Sequence, residues 1–236
     1  MPLDPSSRAR LTARTAARFS GESLFDRVAR TVCRAECLPR KELYEAWEVA
    51  RRVRRHFRGG RVVDLAGGHG LLAYLCLLLD DTSETALVVD RRLPASAALL
   101  AGALVAEWPR LAGRVTPIES RIEEVAIDAE DLCVSIHACG GLTDVVIARA
   151  IAAGARVAVL PCCHDARDND GGGLGGWVDA PLAIDLTRAA RLCAAGYRVR
   201  TQTIPAAITE KNRLLMGDPV GPTPDGGSRG TRGHVV

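Results

Sequence analysis

The chain has 236 residues, of which 47% are apolar and 25% charged, so it can bury the core of one ordinary domain. Its longest apolar runs, Leu71 to Leu79 and Ala95 to Ala106, fall well short of the roughly 20 residues that a membrane-spanning helix requires, which excludes such a helix and points to a soluble protein. The net charge of +3 hides an asymmetry: residues 1–61 carry 15 basic and 7 acidic side chains, residues 62–236 carry 16 and 21. A basic segment of this kind steers polyanions, and nucleic acid is the partner to expect, beside the plainer reading of a solvated arginine-rich face.

The first twenty residues, MPLDPSSRARLTARTAARFS, have the arginine, serine and threonine content of an organelle transit peptide, but no secretory apolar stretch. Residues 1–40 are read as a basic, partly flexible N-terminal extension of helical character. The eight cysteines lie mostly inside predicted helices and strands or as an adjacent pair, with no secretion signal, so reduced thiols and a cytoplasmic location are expected.

Lys41 to Phe57 reads as an amphipathic helix, with Leu43, Trp47, Ala50, Val53 and Phe57 at helical spacing and Arg51, Arg52, Arg54 and Arg55 beside them. Gly59 and Gly60 end it. Short β-rich runs then alternate with helical ones. Strands are expected at Arg61–Leu65, Ala86–Asp90, Val115–Glu119, Asp131–His137 and Arg156–Pro161, and helices at Leu71–Leu79, Pro94–Trp108 and Asp144–Ala153, the last with Thr143 as N-cap and Gly154 as stop. This alternation predicts an α/β fold, a doubly wound parallel sheet covered on both faces. A helix at Leu182–Ala195 and two β-like runs, Tyr197–Ile204 and Arg213–Gly217, follow; their short connection predicts an antiparallel last pair. Residues 218–236, rich in Gly, Pro and Arg, are read as a disordered tail.

RVVDLAGGHGLLAYL, Arg61 to Leu75, puts glycines between the first strand and a helix, where backbone can approach a ligand and the helix N-terminus offers free N–H groups. GHGLLA, Gly68 to Ala73, also fits a dinucleotide fingerprint, so the loop alone does not choose between NAD and other adenosine cofactors. Asp90 ends the second strand, where a carboxylate can accept hydrogen bonds from both ribose hydroxyls, with Arg91 beside it. Asp64 separates the readings: an acid there repels a pyrophosphate and favours the amino and sulfonium groups of S-adenosylmethionine, or else braces the glycine turn. Two later stretches, SIHACGGLTD (Ser135 to Asp144) and VLPCCHD (Val159 to Asp165), each follow a predicted strand, so His137, Cys139, Cys162, Cys163 and His164 should gather at one sheet edge. Two Cys and two His could ligate zinc, but HxC and CCH are unusual spacings and no metal is expected. His137 or His164 could instead serve as general base, and the cysteines could pack the floor of the site. A zinc deaminase is excluded, because its HxE motif would need glutamate where Cys139 stands.

With Asp64, Gly68 and Gly70 spaced as acid, three residues, GxG, the chain resembles the class I S-adenosylmethionine-dependent methyltransferases, departing at Ala66, where many members have another glycine. The His-x-Cys-Gly and Pro-Cys-Cys-His stretches, with ITEKNRLLM (Ile208 to Met216) standing for a TPKN signature in which Glu210 replaces proline, resemble a narrower branch. That branch includes the tRNA acceptor-stem ribose methyltransferase and its methyltransferase-like relatives, though the zinc-finger modules of the tRNA enzyme have no counterpart here. The resemblance covers roughly Lys41 to Gly217 and implies a seven-stranded Rossmann-like sheet, S-adenosylmethionine as cofactor and RNA, tRNA or rRNA, as acceptor. It places Asp64, Ala66, Gly68, Gly70, Asp90, Arg91 and His137 at the cofactor, and His137, His164 and Cys163 at the chemistry. A protein or small-molecule acceptor, an NAD-dependent oxidoreductase and a noncatalytic cofactor-binding protein remain the alternatives.

Overall fold

A computed structural model describes residues 3–221. In chain order the elements are α1 (Leu24–Ala35), α2 (Arg40–His56), β1 (Val62–Leu65), α3 (Leu71–Leu79), β2 (Ala86–Asp90), α4 (Ala97–Glu107), β3 (Val115–Glu119), β4 (Leu132–Ser135), α5 (Leu142–Ala153), β5 (Arg156–Val159), α6 (Ala180–Ala194), β6 (Tyr197–Thr203) and β7 (Arg213–Pro219). The strands form one seven-stranded sheet in the order β3-β2-β1-β4-β5-β7-β6, parallel except for β7, which runs antiparallel to both β5 and β6. This is the predicted α/β Rossmann-like sheet with its antiparallel last pair. Among the described residues no helix is long and apolar enough to cross a membrane.

Strand alternation divides the core between the two faces of the sheet. Val62, Leu132, Val134 and Ala158 point to the α1–α4 side, whereas Val63, Leu65, Cys133, Val157 and Val159 point to the side covered by α5 and α6. By the same alternation Asp64 falls on the α3 side, so a carboxylate occupies what would otherwise be a core position at the end of β1.

Residues 3–40, in the segment expected to be partly flexible, make contacts with the domain. Leu11 donates its N–H to the Leu38 carbonyl at 2.9 Å, Lys41 donates to the Ser7 carbonyl at 3.0 Å, and Leu11 and Phe19 are buried in the same core as α2 and α3. Helix α1 lies in the N-terminal extension that was expected to be helical, though no bounds were predicted for it. Ser23 caps it by accepting from the Asp26 N–H, and Val28, Ala29 and Val32 form its buried face. Helix α4 begins at Ala97 rather than Pro94, because Pro94 first closes a turn with Ala97. Helix α5 starts after Gly141, and Thr143, expected as its cap, instead donates to the Ala138 carbonyl at 2.7 Å. Strand β7 extends to Pro219, so the expected tail loses its first two residues to the sheet; the rest of it, from 222 on, lies outside the described residues.

Candidate active site

The C-terminal ends of β1, β2, β4 and β5 open on one edge of the sheet, and the loops that follow them carry the predicted site residues. The loop after β1 is built on local necessity. Ala66 has φ of 57° and Gly68 and Gly70 have φ of 53° and 77°, all in the left-handed region. The Gly70 N–H closes the turn on the Gly67 carbonyl at 2.8 Å, and the Gly68 N–H donates to Asp90 Oδ2 at 3.0 Å. A Cβ on Gly67 would sit 2.8 Å from the Asp64 carboxyl carbon, and one on Gly70 would sit 2.8 Å from a Val88 methyl. Gly67 is not among the residues singled out from the sequence; its signal is that it alone separates Ala66 from the GxG run.

Two hollows flank this loop. One, of about 100 Å³, is lined by Ala66, Asp90, Arg91, Arg121, Ile122, Glu123 and Leu142. It brings together three predicted residues, and Asp90 keeps acceptor capacity there beyond the N–H groups of Gly68 and Arg92. The other, of about 30 Å³, is lined among others by Glu42, Asp64, Gly67, His69 and His137. A larger apolar cavity of about 300 Å³ lies between the loop and α4, against Val88, Leu93, Ala98 and Pro117.

The electrostatics of the smaller hollow are set by burial. Asp64 is 1% exposed; its Oδ2 accepts the Ala73 N–H at 3.3 Å, and its Oδ1 is buried without a hydrogen-bond partner. Desolvation therefore pushes its carboxyl up to about 7, against the Ala73 N–H and helped by the charge of Asp90. His137 Nε2 lies 3.7 Å from Glu45 Oε2, and both atoms are buried and lack a hydrogen-bond partner. Burial, with the nearby Lys41 charge, pulls the imidazole down to about 4, so it is neutral at pH 7. Glu45 is pushed up by burial, opposed by Lys41 3.4 Å away and by a hydrogen bond from Thr209. Unsatisfied buried acceptors are costly and rare. Asp64 Oδ1 is such an acceptor in a hollow floored by the glycine loop, and a cationic amino group fits it; Glu45 Oε2 is another, behind His137 at the same hollow.

Glu42 and Glu45 escaped the sequence reading. The available signal was the place of Glu45 on the buried face of α2 with Ala46 and Val49, since a buried acid on a core face is unusual; Glu42, half-buried one turn before Ala46, carried less. His69, whose Nε2 lies 2.9 Å from Ser96 Oγ, also lines both the smaller hollow and the apolar cavity.

The loops after β4 and β5 divide the remaining candidates. Cys139, Cys162 and Cys163 come together, with Sγ atoms of Cys139 and Cys162 3.2 Å apart and those of Cys162 and Cys163 3.7 Å apart. Burial raises the Cys163 thiol, but hydrogen bonds from Cys139 and from the Gly140 N–H outweigh it and hold the group below its ordinary value. His164 is drawn away from this edge. Its side chain is 2% exposed and its Nε2 meets Asp185 of α6 at 2.8 Å, where Arg213 also binds that carboxylate at 2.7 Å. Of the two expected histidines, only His137 faces the hollow beside the glycine loop.

Similarity to known proteins agrees with this architecture. The fold is similar to that of the pyocyanin biosynthetic protein PhzM, with 16% identity and a TM-score of 0.50 over 88% of this chain and 61% of that one. It is equally similar to a putative O-methyltransferase from Nostoc punctiforme, with 15% identity and a TM-score of 0.50 over 86% of this chain and 66% of that one. The chain thus spans less than two thirds of the length of either structure. Among curated proteins no sequence matches it. A family model described as a methyltransferase domain matches residues 41–168, which take in the glycine loop, Asp90, His137 and all three clustered cysteines, and the chain belongs to that family.

Proposed function

We propose that the protein is an S-adenosylmethionine-dependent methyltransferase acting on RNA, with residues 41–217 as its catalytic unit. The observation that carries the cofactor is the pairing of Asp90 at one hollow with the orphaned carboxylate oxygen of Asp64 at the other, on either side of one glycine loop. Asp90 and the Ala66 backbone would hold the adenosine, with Arg91 at the rim, and Asp64 and Glu42 would face the amino end. When bound, the cofactor supplies an activated methyl group on a good leaving group, so the protein's task is alignment. The N–H groups of the left-handed loop and the start of α3 fix the approach, and burial of Asp64 keeps water from competing for its free oxygen. His137 lines the hollow and would accept the proton of a hydroxyl or amine nucleophile, a role for which cofactor and acceptor would have to raise its basicity from the burial-lowered value.

RNA as acceptor is supported by a polar cleft of about 450 Å³ between the N-terminal segment and the β6–β7 connection, lined by Arg8, Lys41, Lys211 and Glu210. Lys41 joins this cleft to the hollow, because it bonds Glu45, which faces His137. Phosphates at Arg8 and Lys211 would lead a ribose or base toward His137. The branch resemblance in the His137–Gly140 and Pro161–His164 stretches points the same way.

The test is transfer of labelled methyl from S-adenosylmethionine to total RNA and, separately, to total protein. Label is expected in RNA, with kcat lowered about 100-fold or more in His137→Ala. Label confined to protein would overturn the RNA reading, and cofactor binding with no transfer to either would overturn the enzymatic one.

A further inference from the structure

The proposed cofactor site uses none of the three clustered cysteines, which come from two separate loops. Cys139 follows β4; Cys162 and Cys163 follow β5, and β4 and β5 are neighbours in the sheet. Adjacent cysteines usually point apart, yet here the Sγ atoms of Cys162 and Cys163 lie 3.7 Å from each other and all three sulfurs lie within 4.8 Å. Tetrahedral zinc with Zn–S bonds of about 2.3 Å separates its sulfurs by about 3.8 Å, so a single ion fits among these three with side-chain adjustments of up to about 1 Å. Neither histidine completes the set. His164 is bound to Asp185, and His137 faces Glu45, which leaves a three-sulfur donor set that includes the exposed Cys139.

We infer that Cys139, Cys162 and Cys163 form a zinc(II) site that clamps the loop after β4 to the loop after β5. Coordination exchanges the three S–H bonds for three S–Zn bonds and releases the three protons to solvent, giving a site with one net negative charge. Two features of the chain offset that charge. The Gly140 N–H points at the Cys163 sulfur, and Lys211 is close enough to act on it electrostatically. Gly140 can present its N–H because it adopts a left-handed φ of 62°. The clamp would hold His137, two residues before Cys139, in register with the β5 loop.

The experiment is metal analysis of the full chain purified without chelator, followed by titration of metal-stripped, reduced protein with zinc(II) against a chromophoric chelator and with cobalt(II) by absorption. About one zinc per chain is expected, with a thiolate-to-cobalt charge-transfer band and tetrahedral cobalt bands. Cys139→Ser and Cys163→Ser should each weaken zinc binding at least about tenfold. Cys193→Ser, which alters an exposed cysteine on α6, should leave it unchanged. Circular dichroism of each variant separates lost ligation from lost folding, and Cys139 is exposed, so serine there should not unfold the chain. Absence of zinc and of the charge-transfer band in the reduced wild type would overturn the proposal. So would zinc affinity indifferent to Cys139→Ser, or a Cys139–Cys162 disulfide in place of metal. Calorimetric binding of S-adenosylmethionine to the same preparations keeps a failure of this site distinct from a failure of the methyltransferase reading, since the two observations stand on different residues.

Discussion

Asp64 is a carboxyl group held where its charge is expensive, and the sign of its linkage follows. Its folded pKa of about 7 lies above the ordinary carboxylate value, so between those two pH values the folded chain binds the proton that the unfolded chain has lost. Stability of the cofactor-free protein is therefore expected to fall as pH rises from about 4 to about 7, and the penalty is fully present above that. Asp64→Asn removes this component, and chemical denaturation from pH 5 to 8 should show a flatter profile for the variant. An ammonium group at Oδ1 would favour the ionised form, so cofactor binding at pH 6 should release a proton and tighten toward pH 7.5. Calorimetry in buffers of different ionisation enthalpy reads that proton. Binding by Asp64→Asn with the same proton release and affinity would show that the cation sits elsewhere. Asp64 was legible in the sequence because its position beside the glycines is local. Glu45 and His137, 92 residues apart in the chain and 3.7 Å apart in space, were not legible as a pair, since only the packing of α2 against the sheet edge joins them.

At the scale of elements, the turn between β1 and α3 distinguishes glycines that need their conformation from glycines that also need their space. Gly68 has a left-handed φ but an open Cβ direction, so Gly68→Ala should cost about 1–2 kcal/mol from backbone strain alone. Gly70 has the strain and a Cβ direction that runs to within 2.8 Å of Val88, and Gly70→Ala should cost about 2–4 kcal/mol, because β2 would have to move. Urea unfolding of the two variants checks the order, and equal losses would mean that Val88 yields freely. Ala66 is the reverse case, an L-residue at φ of 57° where many relatives of the resembled family place glycine; Ala66→Gly should be neutral or stabilising within about 1 kcal/mol. The strands and most helices were readable because period-two and 3.6-residue patterns report burial directly. The N-terminal extension was expected to be helical, but the bounds of α1 were not read although Ser23, Val28 and Val32 carry the cap and the stripe, because arginines at 27, 30 and 34 lend the segment the look of a basic tail. That Cys139, Cys162 and Cys163 gather at one sheet edge was legible because each stretch follows a strand; that their sulfurs close on one another while His164 turns to Asp185 was not, since it depends on which way adjacent side chains turn.

Across the whole molecule, the basic N-terminal quarter does less as a polyanion surface than its charge suggests, because much of that charge is engaged in holding the fold. Arg54 is 2% exposed in its side chain, pairs with Asp80 at 3.2 Å and donates to the Cys76 and Phe57 carbonyls and to Ser83 Oγ, so it anchors α2 on α3. Arg51 and Arg52 both bind Glu48 on their own helix, and Arg27 and Arg34 bind Glu107, fastening α1 to α4. Reversing the arginines of α2 together would confuse folding with binding. Arg54→Ala leaves Asp80 without its most buried partner and should cost about 3–5 kcal/mol in urea unfolding, with any loss of RNA binding following from the unfolding. The exposed cations at the cleft, Arg8 and Lys211, give the cleaner measurement. Arg8→Glu with Lys211→Glu should leave the unfolding midpoint nearly unchanged while weakening RNA binding and flattening its dependence on salt, by about 0.9 in the logarithmic slope for each phosphate no longer neutralised, or about 0.7 if the strand is single. Salt dependence identical to wild type, in a variant that remains folded, would place the acceptor's phosphates away from Arg8 and Lys211 and shift the choice toward an uncharged acceptor.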